Sequence, residues 1–119
     1  MNKKQEARRL ADLHIEAILK FIRETNEKEG KEAQGIVIAT YTPEEFAELK
    51  PGEDYELFKL TERYVAEDLV NLGIDNVNFQ EVDSIAYYKF IAEHNLPNDQ
   101  ASISFFANCE FIKKTKKLK

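Results

Sequence analysis

Carboxylate pairs are abundant in this chain, and one of them, Glu81 and Asp83, has a position that could serve metal chemistry. They are separated by one residue, so they share a face if they lie at the end of a β-strand. Open α/β sheets bind ligands where strands end and helices begin, and two acids there could hold Mg²⁺ with waters and a phosphate. A second interpretation is that Asp83 caps the following helix. Because Ile85 stands where a nuclease-like site would have a lysine, the helix cap is favoured.

The remaining reactive side chains are few and far apart. His14 falls in the middle of a predicted helix, and His94 falls in the last turn of another, where the helix dipole favours a positive charge. Cys109 is the single cysteine, so an internal disulfide is excluded and a zinc site is disfavoured. The four glycines are scattered and form no phosphate-binding loop. We therefore assign no catalytic residue and expect no cofactor.

A dense run of acidic residues is the strongest functional signal. We expect its members to form a partner-binding surface together with a neighbouring tyrosine: Glu44, Glu45, Glu48, Glu53, Asp54, Glu56 and Tyr55. Carboxylates one helical turn apart lie about 5 to 6 Å from each other, which is close to the spacing of phosphates along a nucleic-acid strand. Such a surface could imitate a nucleic-acid backbone and bind a basic partner such as a nuclease.

Charge is distributed unevenly along the 119 residues. The net charge is −5, but residues 10–112 contain 21 acids and 8 bases, a balance of −13. This field would repel nucleic acid over most of the surface and attract a basic protein. The segment Lys113–Lys119 carries five lysines and no acid. We expect it to be a flexible basic tail, for which non-specific nucleic-acid contact is the alternative.

Length and hydropathy predict one α/β domain over residues 1–112, followed by the tail at 113–119. No stretch approaches the about 20 apolar residues of a membrane span, and the charged N-terminus has no apolar signal region. We therefore expect a cytoplasmic protein with no membrane partner.

A long amphipathic helix is predicted over residues 3–28. Asn2 and Gln5 match a capping box at its start. One apolar row is expected to face the core, and a second row flanks it: Ala11, Ile15, Ile18 and Ile22, then Leu10, Leu13, Ala17 and Phe21. The helix would be about 39 Å long, more than the diameter of about 35 Å expected for a compact domain of this size. We expect one end to extend beyond the core or to pack against another chain, which allows a homodimer through this helix.

The next elements are a strand and a short helix. Residues 35–42 form a continuous β-branched run typical of a buried or parallel strand. Thr42, Pro43 and Glu45 then match an N-cap, a first helical residue and a capping box, while Tyr41 and Phe46 occupy the two positions of a hydrophobic staple. A helix over 43–49 follows.

The second half of the chain predicts helix 53–72, strand 76–82 and a helix from Asp83 or Ser84 to Asn95. Alternating apolar residues over 101–112 favour a strand, although helical spacing fits nearly as well. The order α-β-α-α-β-α-β gives an α/β fold, with α+β as the alternative. Its sheet has two or three strands and is packed by the long first helix and two or three further helices.

We expect this fold to serve as a non-enzymatic protein-binding module. Small acidic inhibitors of phages, plasmids and other mobile elements offer an analogy of type, although no family is matched by motif. A homo-oligomeric structural or accessory protein is one alternative. The other is a small metal-dependent enzyme that uses Glu81 and Asp83.

Overall fold

The structure is a computed structural model that describes residues 2–29 and 36–117. Within these ranges it contains five helices and one sheet of two parallel strands, which confirms the α/β class and the long N-terminal helix. In chain order the elements are α1 (Lys3–Glu29), β1 (Ile36–Thr40), α2 (Pro43–Leu49), α3 (Tyr55–Asn71), β2 (Val77–Glu81), α4 (Ser84–His94) and α5 (Gln100–Lys117).

These elements form two compact units. The helical unit contains α1 and α3, and the sheet unit contains β1, β2, α2, α4 and α5. Each unit is built from two separate stretches of chain, because α3 is interposed between α2 and β2 in the sequence.

Both helices of the helical unit begin at side-chain caps. The Gln5 N–H donates to Asn2 Oδ1 at 2.8 Å and the Asn2 N–H donates to Gln5 Oε1 at 3.1 Å, which confirms the predicted capping box. At the start of α3, Asp54 Oδ1 accepts the Leu57 N–H at 3.1 Å. Although α1 has 27 residues, no helix in the described part of the chain is both long and apolar enough to cross a membrane.

Small residues of α1 allow it to approach α3 closely. Ala7 and Ala11 are completely buried, and Val65 and Leu69 are buried on α3. The guanidinium of Arg8 lies 5.2 Å from the centre of the Tyr64 ring, and the same group binds the Asp68 carboxylate. The remaining members of the predicted core row, namely Ile15, Ile18 and Ile22, are half-buried.

In the sheet unit, β1 and β2 are parallel and in register from Ile36 opposite Val77 to Thr40 opposite Glu81. Ala39 is buried on one face of β1, and Tyr41, two residues later, is buried as well. Helix α5 packs on the sheet. The buried side chains of α5 are Ser102, Ile103, Phe106 and Ala107.

The last element is a helix, so the strand favoured over residues 101–112 is wrong. Within the described residues the sheet has two strands, the smaller of the two expected numbers. Asp99 Oδ1 accepts the Ser102 N–H at 2.9 Å, which stabilises the first turn of α5. The buried residues of this segment recur at the three- to four-residue spacing of a helix, as in Ser102, Ile103 and Phe106. Phe105, by contrast, is half exposed. The alternation of apolar and polar residues over 101–112 therefore does not indicate a strand. Phe106, which interrupts that alternation, is part of the core.

The predicted boundary before the basic tail falls inside α5. Residues 113–117 continue the helix, while Leu118 and Lys119 lie outside the described residues. The flexible tail and the single domain over residues 1–112 stay predictions.

Candidate protein-binding surface

The start of α2 is defined by residues that lie close together in the sequence. Thr42 Oγ1 accepts the Glu45 N–H at 3.3 Å, and Pro43 occupies the first helical turn. Tyr41 and Phe46 are both buried, with ring centres 5.9 Å apart and planes at 66°, which confirms the predicted staple. These contacts fix the direction of α2 and therefore the position of its acidic side chains.

Glu45 contributes to a helix other than its own. The predicted capping box would return its carboxylate to the Thr42 N–H, but Glu45 Oε2 instead accepts the Ser84 N–H at 2.6 Å. Asp83 is the N-cap residue of α4, yet its side chain makes no capping hydrogen bond. The predicted side-chain cap by Asp83 is therefore wrong, since Glu45 provides the carboxylate. This arrangement ties α2 to α4.

Polar and apolar groups meet where α2 and α4 are joined. Glu44 and Glu48 are exposed and lie one turn apart on α2. Tyr88 of α4 donates its hydroxyl hydrogen to Glu48 Oε1 at 3.4 Å, and Ile85, one turn earlier on α4, is 79% exposed. Burial and the neighbouring negative charge of Glu48 raise the pKa of Tyr88 above its ordinary value. We call Glu44, Glu48, Ile85 and Tyr88 the α2–α4 surface.

The acidic run divides between the two units. Glu53 is exposed in the sheet unit, whereas Asp54, Tyr55 and Glu56 belong to the helical unit. Lys3 Nζ lies 3.0 Å from both Asp54 Oδ2 and Glu56 Oε2. The hydrogen bond from Lys3, together with the Leu57 N–H, holds the pKa of Asp54 below its ordinary value. The single positive charge of Lys3 therefore offsets part of the negative charge of these two predicted partner-binding carboxylates.

Glu44 and Glu48 differ from that pair. Neither forms an ion pair with any residue that the structure describes. Their negative charge is therefore available to a partner. Tyr55 is half-buried and its ring is stacked on Phe58 at 6.3 Å, so it is less accessible than the sequence suggested.

The residues considered for catalysis or metal binding stay dispersed. Glu81 and Asp83 are exposed at the end of β2 and the start of α4. In residues 2–29 and 36–117, no group of three or more histidine, cysteine, aspartate or glutamate side chains could hold a metal ion. His14 and His94 are exposed, and Cys109 is half-buried on α5.

Comparison of the chain with protein-family models, curated proteins and solved structures found no match. The α2–α4 surface is therefore the candidate functional site. Sequence reasoning missed Ile85 as part of this surface, because an apolar residue in the first turn of a helix is more often buried than exposed. The available signal was its position one turn before Tyr88.

Proposed function

We propose that this protein is a non-enzymatic binding module that docks a basic protein partner on the α2–α4 surface. The observation that carries this proposal is that Glu44 and Glu48 are exposed and form no ion pair within the described residues, while Ile85 is exposed on α4, the helix whose Tyr88 contacts Glu48. Carboxylates attract and orient a cationic partner, while a neighbouring apolar group adds contact area that salt does not screen.

The chemistry of the surface favours a partner that normally binds nucleic acid. Glu44 and Glu48 are one helical turn apart, so their Cβ atoms are about 5 to 6 Å from each other and their two negative charges lie on the same face of α2. The Tyr88 hydroxyl contacts Glu48, and the tyrosine ring offers an amphipathic contact, much as a base accompanies its phosphates. By occupying a basic groove in this way, the protein would act as an inhibitor of a nuclease or a related enzyme.

A binding titration with matched charge reversals tests this proposal. The probe is a fluorescein-labelled peptide rich in arginine and lysine with one central leucine, followed by anisotropy at low salt and at about 0.5 M salt. We expect E44K/E48K to weaken binding at low salt by about tenfold. The control D75K/E93K changes the net charge by the same amount at two exposed positions elsewhere and should leave the affinity within about threefold.

A third variant tests the apolar contribution. We expect Ile85→Ser to weaken binding by a similar factor at low and high salt, because an apolar contact is not screened. Equal losses for the two charge-reversal pairs would show that the probe responds only to net charge, and the proposed surface would then be wrong. Thermal melts of each variant establish that it is folded.

A further inference from the structure

Helix α1 carries a second apolar stripe besides the one that packs on α3. Leu10, Leu13, Ala17 and Phe21 follow one another at intervals of three or four residues, so they share one face of the helix. Leu13 is 50% exposed, Phe21 is 52% exposed, Ala17 is exposed and Leu10 is half-buried. Residues of the described chain leave this face largely open.

One edge of this stripe has alternating charges. Arg9, Glu16, Lys20 and Glu24 are separated by seven, four and four residues, so they lie in one row beside the stripe, and the signs along the row are plus, minus, plus, minus. Arg9 pairs with Glu6 at 2.6 Å. Glu16, Lys20 and Glu24 form no ion pair with any residue whose side chain the structure describes, which on α1 are residues 2–24.

Read in the opposite direction, the row of charges has the opposite sign at each step, so two antiparallel copies of the row are complementary. If a second copy of α1 lies antiparallel with a two-fold axis at Ala17, Glu16 lies two residues, or about 3 Å along the helix, from the second copy's Lys20, and Arg9 lies one residue from its Glu24. These long side chains can span such offsets. Leu13 and Phe21 are each four residues from Ala17, so Leu13 meets the second copy's Phe21. The small side chain at the axis lets the two helices approach.

A parallel pairing lacks this match. It would place the charged row against the opposite edge of the stripe, where His14 and Ile18 stand instead of alternating charges. We propose that a second copy of this chain binds the outer face of α1 in the antiparallel orientation. This interface is independent of the α2–α4 surface, so either proposal can fail without the other.

A charge-exchange experiment on the full chain tests both the interface and its orientation. Sedimentation velocity over a dilution series is expected to show a monomer–dimer equilibrium for the native sequence. We expect E16K and K20E each to weaken dimerisation by about tenfold, because each places like charges across the axis twice. An equimolar mixture of the two variants should recover the native affinity, since one chain then presents lysines at positions 16 and 20 and the other presents glutamates. The double variant E16K/K20E should also dimerise like the native chain.

Two further variants locate the interface on α1. Ala17→Glu brings the new carboxylate of one copy against the same carboxylate of the second copy at the axis, and the repulsion should abolish dimerisation. The control Leu19→Glu adds the same charge on another face of the helix, at a side chain that is 40% exposed, and should leave dimerisation intact.

Three results would overturn the proposal. They are a native chain that stays monomeric at every concentration, single variants that dimerise like the native chain, and a mixture that gains nothing over its components. Circular dichroism melts show that each variant keeps its helices.

Discussion

Glu45 Oε2 lies 2.6 Å from the backbone nitrogen of Ser84, so a carboxylate on α2 caps a helix that begins 39 residues later in the chain. Both groups are partly buried, and the N-cap side chain of α4 itself makes no capping bond. The start of α4 therefore depends on a residue of another helix.

We expect Glu45→Ala to lower the free energy of unfolding by about 1 to 2 kcal/mol, because it leaves a helix N-terminus without its acceptor. Glu45→Gln retains an acceptor oxygen and should cost less. Urea denaturation measures both, with Glu44→Ala as the control on the same turn. A loss no larger than that of the control would show that the bond contributes nothing.

Gly73 ends α3 with a φ of +75°, a conformation that side chains with a Cβ disfavour. Nothing lies within 4 Å of a Cβ added there, so Gly73→Ala should be destabilising through backbone strain alone, by about 1 kcal/mol. Asn95, which follows α4 with a φ of 54°, is the counterpart. Asn95→Gly should raise stability by a few tenths of a kcal/mol, about the advantage of glycine at such a cap. Chemical denaturation measures the free energy of unfolding of both variants. Changes of the same sign in Gly73→Ala and Asn95→Gly would contradict the assigned role of backbone strain.

We expect the ionisation of buried Tyr41 to lower the stability of the protein in alkaline solution. Burial raises its pKa above the ordinary value of 10.0, although a hydrogen bond with Gln100 acts in the opposite direction. The unfolded chain releases this proton at lower pH than the folded protein does. The contribution of Tyr41 is therefore complete below about pH 10 and is lost as the pH rises through the raised pKa.

Tyr41→Phe should reduce the decline of stability above about pH 10. Denaturation curves at a series of alkaline pH values measure the decline, and tyrosinate absorbance follows the ionisation. An unchanged decline would assign the effect to other groups.

The contact with Lys3 determines how Asp54 titrates in acid. Since Lys3 lowers the pKa of Asp54 below 3.8, the stabilisation due to this carboxylate is present above that pH and is lost as the pH falls through the folded pKa. We expect Lys3→Met to raise the pKa of Asp54 toward its ordinary value, but not fully, because the Leu57 N–H still donates to it. Carboxyl NMR titration measures the change. Lys4→Met is the matched control, and an equal shift in both variants would point to net charge rather than to the Lys3 contact.

Local signals in the sequence predicted the starts of α1 and α2. The Asn2–Gln5 box, the Thr42 cap and the Tyr41–Phe46 staple involve residues at most five positions apart, so the chain specifies them without tertiary information. Helix α5 was mispredicted because its apolar residues fit both periods. Only packing against the sheet distinguishes Phe106, which is buried, from Phe105, which is exposed.

The candidate site was predictable in composition but not in arrangement. A count of carboxylates identifies the acidic run, yet the pairing of Lys3 with Asp54 depends on contact between α1 and the start of α3. The bond from Glu45 to Ser84 likewise joins residues far apart in sequence. These contacts determine which charges remain available, and no local pattern encodes them.

The route of the chain through the two units has a consequence for dividing the protein. Each unit contains one stretch before residue 54 and another from residue 54 onward, so no contiguous fragment contains one complete unit without part of the other. A cut between Glu53 and Asp54 yields one piece with α1, β1 and α2 and another with α3, β2, α4 and α5. Each piece lacks partners that only the other supplies, and the parallel strands come from different pieces. The loop before α3 is therefore a natural position for a split protein whose halves fold only when they meet.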